Sequence, residues 1–397
     1  MRTSSTPSTV IPSTVIPNTV IPNTVTPVQA FAACAQGAWL IDVREPNETS
    51  LGHAHGARLL PSASLAVELQ RLAVDKTSEM MLICQTGVRS SAAALALRAA
   101  GFTSVHSIAG GSIAWQAAGL PWDSVGALAA AEQQRYSRQL LLPELGLSGQ
   151  EKLKQAKILL IGAGGLGSPA ALYLAAAGVG TLAISDGDCV DLSNLHRQIL
   201  HRTDTIGTPK TRSAAAQLHA LNPLVRVLEL PALSAANIDE LLPNFDIIVD
   251  GSDNFATRFL VADACVKHKK PLVYGAVLRF EGQVSVFMGP SDVTGSAPCY
   301  RCLFPTPPPQ EHAPSCAQAG VLGVVPGVIG TLQATEAIKL ITGIGSPLSG
   351  RLLMFDAKNM RFREISIPRD PHCPSCAPGA VIRYEAGAEY CEQACSV

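Results

Sequence analysis

Apolar positions fall into short runs, separated by glycine turns and Ala-rich stretches, over most of the chain. Met80 to Ile83 is apolar at all four positions, ends at Cys84, and is followed by Gln85-Thr86-Gly87-Val88-Arg89 and an Ala-rich run that stops at Gly101. Four apolar residues are too few for a helix, so the run predicts a buried strand and the alanines the helix after it. From Val28 to about Asp123 the same alternation continues on a small scale.

A longer pattern begins near Arg135 with an amphipathic helix expected up to Leu145. It continues with a strand at Lys157 to Ile161, a glycine-rich turn, a helix from about Ser168 to Ala177 and a strand at Thr181 to Ser185. Val225 to Leu230, Ile247 to Asp250 and Leu272 to Tyr274 predict further strands with helical segments between them. Strands that alternate with helices in this way imply an α/β fold built on a mainly parallel, doubly wound sheet. Leu278 to Phe287 and Arg351 to Phe355 predict antiparallel additions at one edge.

The expected organisation is a leader over 1–27, a first domain over 28–123, a linker over 124–134, a second domain over 135–377 and a tail over 378–397. In the leader Thr-Val-Ile-Pro recurs at Thr9, Thr14 and Thr19, and Thr24 to Pro27 repeats it with one change. A proline every fifth residue forbids helix and central strand, which predicts an extended, disordered segment.

Composition narrows the function classes. Apolar residues are 47% and charged residues 15% of 397, which excludes a largely disordered chain. Thirty basic side chains against thirty-one acidic ones leave no net field, so neither nucleic acid nor an anionic membrane is expected as a partner. Met1 to Pro27 lacks the apolar run of a signal peptide. The charge-free stretch Ile158 to Ser185 is interrupted by six glycines and Pro169, so it reads as strand, turn, helix and strand rather than a membrane span. Eleven cysteines are too sparse for a disulfide scaffold, and two C-x-x-C pairs point to metal or thiol chemistry in a reducing compartment, the cytoplasm.

Cys84 stands on a tight strand-to-helix loop, where backbone amides and the positive helix end favour a thiolate, a persulfide or a bound thiosulfate anion. Asp42-Val43-Arg44-Glu45, Gly52-His53-Ala54-His55-Gly56-Ala57, the Cys84 loop with Arg89, Ala109-Gly110-Gly111 and Trp115 together resemble a rhodanese domain. The resemblance implies a small parallel-sheet domain whose Cys84 carries sulfane sulfur received from a persulfide or thiosulfate donor. Asp42 and Arg44 read as a structural ion pair.

In the second domain Gly162-x-Gly164-x-x-Gly167, with Gly165 inside it, follows a strand and opens a helix, and Asp186 closes the next strand nineteen residues later. Those two features alone suit an NAD-dependent oxidoreductase, whose ribose the carboxylate would hold. Asn194, Arg197 and Lys210 follow closely, more donors than a pyrophosphate needs, and they suit a nucleoside triphosphate. Asp253 follows the Ile247 to Asp250 strand at the carboxyl edge of the sheet, where a carboxylate can hold Mg²⁺.

RYSRQ from Arg135, GAGGLGS from Gly162, DGDCVDLSNLHRQ from Asp186, GTPK ending at Lys210 and SDN from Ser252 resemble the ThiF/MoeB/HesA family of ubiquitin-activating-enzyme-like adenylyltransferases. Within it the likeness is greatest to the branch that activates the sulfur carrier of molybdopterin synthase. The resemblance implies that Asp186 holds the ATP ribose, that Asn194, Arg197 and Lys210 hold its phosphates, and that Asp253 serves Mg²⁺ and the reacting carboxylate. It also implies a homodimer, with Arg138 reaching the γ-phosphate in the neighbouring protomer.

Cys299-x-x-Cys302 and Cys373-x-x-Cys376 form two knuckles that together suit a closed, tetrahedral Zn²⁺ site. Cys316 stands where the family has a candidate acyl-accepting or persulfide-linked thiol. The combined expectation is ATP-dependent adenylation of a small ubiquitin-like sulfur-carrier protein, followed by sulfur transfer from Cys84 to form a thiocarboxylate. An NAD-dependent oxidoreductase and a non-catalytic sulfur-relay scaffold are the alternatives. Molybdopterin, thiamine, cysteine and tRNA thiolation routes all use this chemistry, so the carrier is left open.

Overall fold

Apolar runs without alternation become parallel strands covered on both faces, and two such sheets organise the chain. The computed structural model describes residues 23–123, 128–289, 296–307 and 319–384, which divide into two units between Ala130 and Ala131. Cys316, Cys391, Cys395 and most of the repeat leader lie outside the described residues.

The first unit has strands β1 (Thr24–Val25), β2 (Trp39–Asp42), β3 (His53–Ala54), β4 (Arg58–Leu59), β5 (Met80–Ile83), β6 (Val105–Ile108) and β7 (Trp122–Asp123). Five of them form a parallel sheet in the order β1-β6-β5-β2-β4, while β3 and β7 pair antiparallel. All four residues of β5 are buried, as a central strand requires. The end of the presumed leader joins this fold: Thr24–Val25 adds an edge strand to β6, and Pro27 opens the helix Pro27–Ala35 with Thr26 as its capping residue. Both placements obey proline's restrictions, since edge strands and the first helical turn tolerate a missing N–H.

The second unit has strands β8 (Lys157–Ile161), β9 (Thr181–Ser185), β10 (Arg226–Leu230), β11 (Ile247–Asp250), β12 (Leu272–Leu278), β13 (Glu281–Phe287), β14 (Arg351–Asp356) and β15 (Arg361–Ser366). Their order is β10-β9-β8-β11-β12-β13-β14-β15, parallel from β10 to β12 and antiparallel beyond. The chain runs outward from β8 to β10, then returns across β8 to β11. That reversal makes the carboxyl ends of β8 and β11 a topological switch point, where open α/β sheets bind ligands.

The amphipathic helix expected up to Leu145 is broken instead into Ala130–Arg135 and Ser137–Leu140, and the longer helix is Gly146–Gln155. Pro143 disfavours helical backbone at the residue before it, which interrupts the run. The RYSRQ motif locks this segment down. The buried Tyr136 hydroxyl accepts from Asn222 Nδ2 at 2.9 Å, and Gln139 Nε2 donates to Gln150 Oε1 and to the Ala177 carbonyl. Gly178 has φ +86°, and a Cβ there would stand 2.5 Å from the Tyr136 ring, so only glycine ends the helix Gly167–Ala177 at this point.

The helix Val324–Thr342 is long and apolar enough to cross a membrane by composition, but its Val325, Ile329, Ala334 and Ala337 are buried in the sheet's core cluster. Ile158 to Ser185 resolves into β8, the glycine turn, the helix and β9.

Candidate functional site

A cleft opens at the switch point, lined by Gly162, Gly164, Gly165, Asp186, Arg197, Lys210 and Asp253, together with Asp188, Gln198, Arg258 and the apolar Val277, Val321 and Pro326. The glycine turn is built by close contact. Gly162 has φ +83°, a Cβ on Gly167 would stand 1.9 Å from the Gly162 carbonyl oxygen, and a Cβ on Gly164 would meet nothing nearer than Gln198 Nε2 at 3.7 Å. Gly167 therefore lets the helix approach the strand, and Gly164 leaves room for a ligand against the backbone.

Asp186 is clamped rather than free. Its two oxygens accept from the amides of Ala163 at 2.7 Å and Asp188 at 2.8 Å, and burial pushes its carboxyl up from the ordinary range against the pull of Lys210 and those amides. Lys210 begins the helix Lys210–Leu221 and is buried; its Nζ lies 2.6 Å from Asp188 Oδ2. Arg197 Nη1 donates to the Ser193 carbonyl at 3.0 Å. Asn194 is half-buried at the end of a short 3₁₀ turn, where its Oδ1 accepts from the Asp191 amide, and it does not line the cleft. Arg138 is exposed on a segment whose Tyr136 and Leu140 are buried, and it does not line the cleft of its own chain.

Two side chains that the motifs did not single out complete this site. His201 is buried beneath the turn; its Nε2 lies 2.9 Å from the Ala163 carbonyl and its Nδ1 3.0 Å from Ser213 Oγ. Burial pushes its pKa down, so the neutral ring donates from Nε2 to Ala163 and accepts from the Ser213 hydroxyl. Arg258 sits one turn into the helix Phe255–Lys267, which Asn254 caps by accepting from the Thr257 amide, and its Nη2 donates to the Ser252 carbonyl at 2.9 Å. Its place five residues after Asp253, at the start of the next helix, is the signal that could have found it.

In the first unit Cys84 is a free, buried thiol at the end of β5. The Gly87 amide donates to its Sγ at 3.2 Å and the Ser90 hydroxyl at 3.4 Å, while Ser90 Oγ lies 2.8 Å from Ser107 Oγ. Burial opposes ionisation, yet these donors and the Thr86 and Ser90 amides outweigh it and hold the thiol below its ordinary pKa. Gly111 explains the Ala-Gly-Gly motif: a Cβ there would stand 2.1 Å from the Cys84 carbonyl oxygen, which instead accepts from the Ser112 amide at 2.7 Å. Arg89 is turned to Glu48 in a bidentate pair of 2.6 Å bonds. Asp42 and Arg44 form a buried ion pair at 2.6 Å.

Cys299, Cys302, Cys373 and Cys376 converge with all four sulfurs within 4.8 Å of one another. The nearest pairs, 3.4 Å for Cys299 and Cys373 and 3.5 Å for Cys302 and Cys376, approach the separation of about 3.8 Å that Zn–S bonds of about 2.3 Å give a tetrahedron. A hydrogen bond from Cys299 holds Cys302 below the ordinary thiol range. Four thiol donors without a carboxylate or open position fit a structural Zn²⁺. Arg301 and Ser375, one from each knuckle, both bond to Asp263 and tie the cluster to the helix that carries Arg258.

A sequence profile of the ThiF family matches residues 136–375, and one of the rhodanese-like domain matches residues 26–118. A sulfur carrier protein adenylyltransferase of Thermus thermophilus is 52% identical over 246 residues, 62% of this chain and 91% of that one. Adenylyltransferase and sulfurtransferase MOCS3-1 of Zea mays is 50% identical over 262 residues, 66% of this chain and 55% of its own, so the match spans about half of that relative. The E. coli MccB structure with ATP aligns at 25% identity with a TM-score of 0.53, over 61% of this chain and 74% of that one.

Proposed function

Because this chain belongs to the ThiF family, with a rhodanese-like domain ahead of the ThiF region, we propose that it uses ATP to adenylate the C-terminal glycine of a small ubiquitin-like sulfur carrier. Sulfur then passes from a Cys84 persulfide to the activated glycine. The observation that carries this reading is the cleft at the β8–β11 switch point, where a glycine turn, a clamped carboxylate, three cations and Asp253 face one space.

In this reading the carrier's carboxylate attacks the α-phosphorus, pyrophosphate leaves, and an acyl-adenylate forms. Asp186 holds the ribose through oxygens oriented by the Ala163 and Asp188 amides. Lys210, Arg197 and Asn194 meet the phosphates, with Lys210 exchanging its contact to Asp188 for one to the nucleotide. Asn194 requires ligand-induced movement for that role. Asp253 serves Mg²⁺, which offsets phosphate charge when bound. Arg138, exposed on a segment anchored by Tyr136 and Gln139, is suited to reach the ATP of a second protomer in a homodimer.

The terminal sulfur of the Cys84 persulfide, loaded from a persulfide or thiosulfate donor, attacks the acyl carbon and displaces AMP. A two-electron thiol reductant then cleaves the acyl disulfide, leaving a thiocarboxylate on the carrier and a thiol on Cys84. Cys299, Cys302, Cys373 and Cys376 hold Zn²⁺, and the cytoplasm keeps the thiols reduced.

Intact-mass analysis of candidate carriers, incubated with the chain, ATP, Mg²⁺, thiosulfate and a thiol reductant, tests the reading. One oxygen should be replaced by sulfur, and Cys84→Ala should prevent it. A mass unchanged with every carrier refutes it.

A further inference from the structure

The three cations of the cleft differ in what neutralises them. Lys210 is paired with Asp188, and Arg197 is half-buried with Nη1 on a carbonyl and beside His196. Arg258 is only 8% exposed, yet no carboxylate of the described residues comes within ion-pairing distance of it. Its Nη2 donates to the Ser252 carbonyl, its buried Nε has no hydrogen-bond partner, and its guanidinium carbon lies 5.7 Å from the ring centres of Phe255 and Tyr274. Asp250 is equally buried: its Oδ1 accepts from the Ser252 amide and hydroxyl, and its Oδ2 has no partner. The nearby Asp250 and Asp253 charges offset part of the cost of burying this guanidinium, but none of the hydrogen bonds of its fork goes to a carboxylate, so its place at a cleft wall points to an anion that arrives with the ligand.

The sheet order says which anion. Asp186 follows β9, the glycine turn follows β8, and Ser252, Asp253 and Arg258 follow β11, so the cleft runs from the carboxylate clamp across the turn to Arg258. With the ribose at Asp186 and the phosphates over the turn, the β11 side receives the group that attacks phosphorus. Val277, Val321 and Pro326 form the apolar wall of the same cleft and suit a chain without bulky side groups. A planar fork matches a carboxylate through two parallel bonds.

We propose that Arg258 is a specificity-determining residue that receives the free C-terminal carboxylate of the acyl substrate, so that an amidated terminus is rejected. This rests on the adenylation reading above. The test is calorimetric titration of the full chain, with a non-hydrolysable ATP analogue present, by a Gly-Gly-ending sulfur-carrier protein prepared as the free acid and as the C-terminal amide.

The wild-type chain should bind the acid at least about tenfold more tightly, the worth of a hydrogen-bonded charge pair. Arg258→Gln should bind both forms alike, with affinity for the nucleotide analogue unchanged. Arg258→Lys, which keeps the charge but not the fork, should recover part of the preference and carries the comparison if the Gln variant does not fold. Retained preference in Arg258→Gln overturns the proposal. So does a loss of nucleotide affinity larger than the loss of carrier affinity, which assigns the guanidinium to a phosphate. A wild-type chain that binds neither form of any Gly-Gly-ending carrier refutes the adenylation reading itself, and the proposal with it.

Discussion

Replacing Gly167 with alanine separates the two reasons a glycine turn exists. The new methyl would stand 1.9 Å from the Gly162 carbonyl oxygen, where unbonded carbon and oxygen need about 3.3 Å. Relief therefore requires the helix Gly167–Ala177 and the end of β8 to part by roughly 1.4 Å, the difference between those two distances. Both elements are buried in one core, so no cheap direction exists and overpacking of about 1–3 kcal/mol is expected. A shift of that size at the phosphate loop should lower carrier-dependent ATP–pyrophosphate exchange about 100-fold. Gly164→Ala is the contrast, because its methyl meets only Gln198 Nε2 at 3.7 Å and projects towards the ligand. It should keep the wild-type thermal midpoint while raising the KM for ATP on the order of tenfold, the equivalent of one lost backbone contact. Sulfur transfer from thiosulfate by the Cys84 unit, assayed in the same preparations, checks that the damage is local. Exchange by Gly167→Ala at a wild-type rate would refute the close-contact account of the turn.

Ser90→Ala removes a donor to the Cys84 thiolate and should raise its pKa, read from the pH dependence of alkylation by iodoacetamide. The sign follows from a folded-state pKa below the unfolded one. Thiolate reactivity and its stabilising contribution are present above the unfolded value and are lost as pH falls through the folded value, a loss that the variant moves to higher pH; an unmoved midpoint would count against the hydrogen bond. Lys210→Ala should cut exchange by about 10²–10³ with little loss of stability, since Asp188 is left half-exposed, and a wild-type rate would remove Lys210 from the site. Cys302→Ser should reduce bound zinc and lower the thermal midpoint together, as metal binding and folding are linked; a full zinc complement would dissolve the four-sulfur assignment. Cys84→Ala should retain pyrophosphate exchange and lose thiocarboxylate formation.

Much of this was legible along the chain because the features are local. A strand such as β8, with four consecutive apolar residues after Lys157, can satisfy itself only inside a sheet, and glycines at the strand-to-helix turn are required by contacts within a few residues. The spacing of the two C-x-x-C pairs likewise announced that their four sulfurs converge on one cluster. The helix expected up to Leu145 failed because Pro143 outweighed the apolar period, and Thr24 and Val25 joined a sheet because an edge position needs little from a proline-rich segment.

What only the tertiary structure decided is which groups meet and which charges are already satisfied. Nothing in the local sequence shows that Lys210 is paired to Asp188, that His201 props Ala163 from below, that Arg89 is engaged by Glu48, or that Arg258 is buried at the cleft wall with its hydrogen bond on a backbone carbonyl instead of a carboxylate. Each of those facts joins residues brought together by strand order or helix packing, and pairing energy depends on distance and burial. The residue alphabet supplied the chemistry of the cleft; the crossover from β10 back to β11 set its electrostatics.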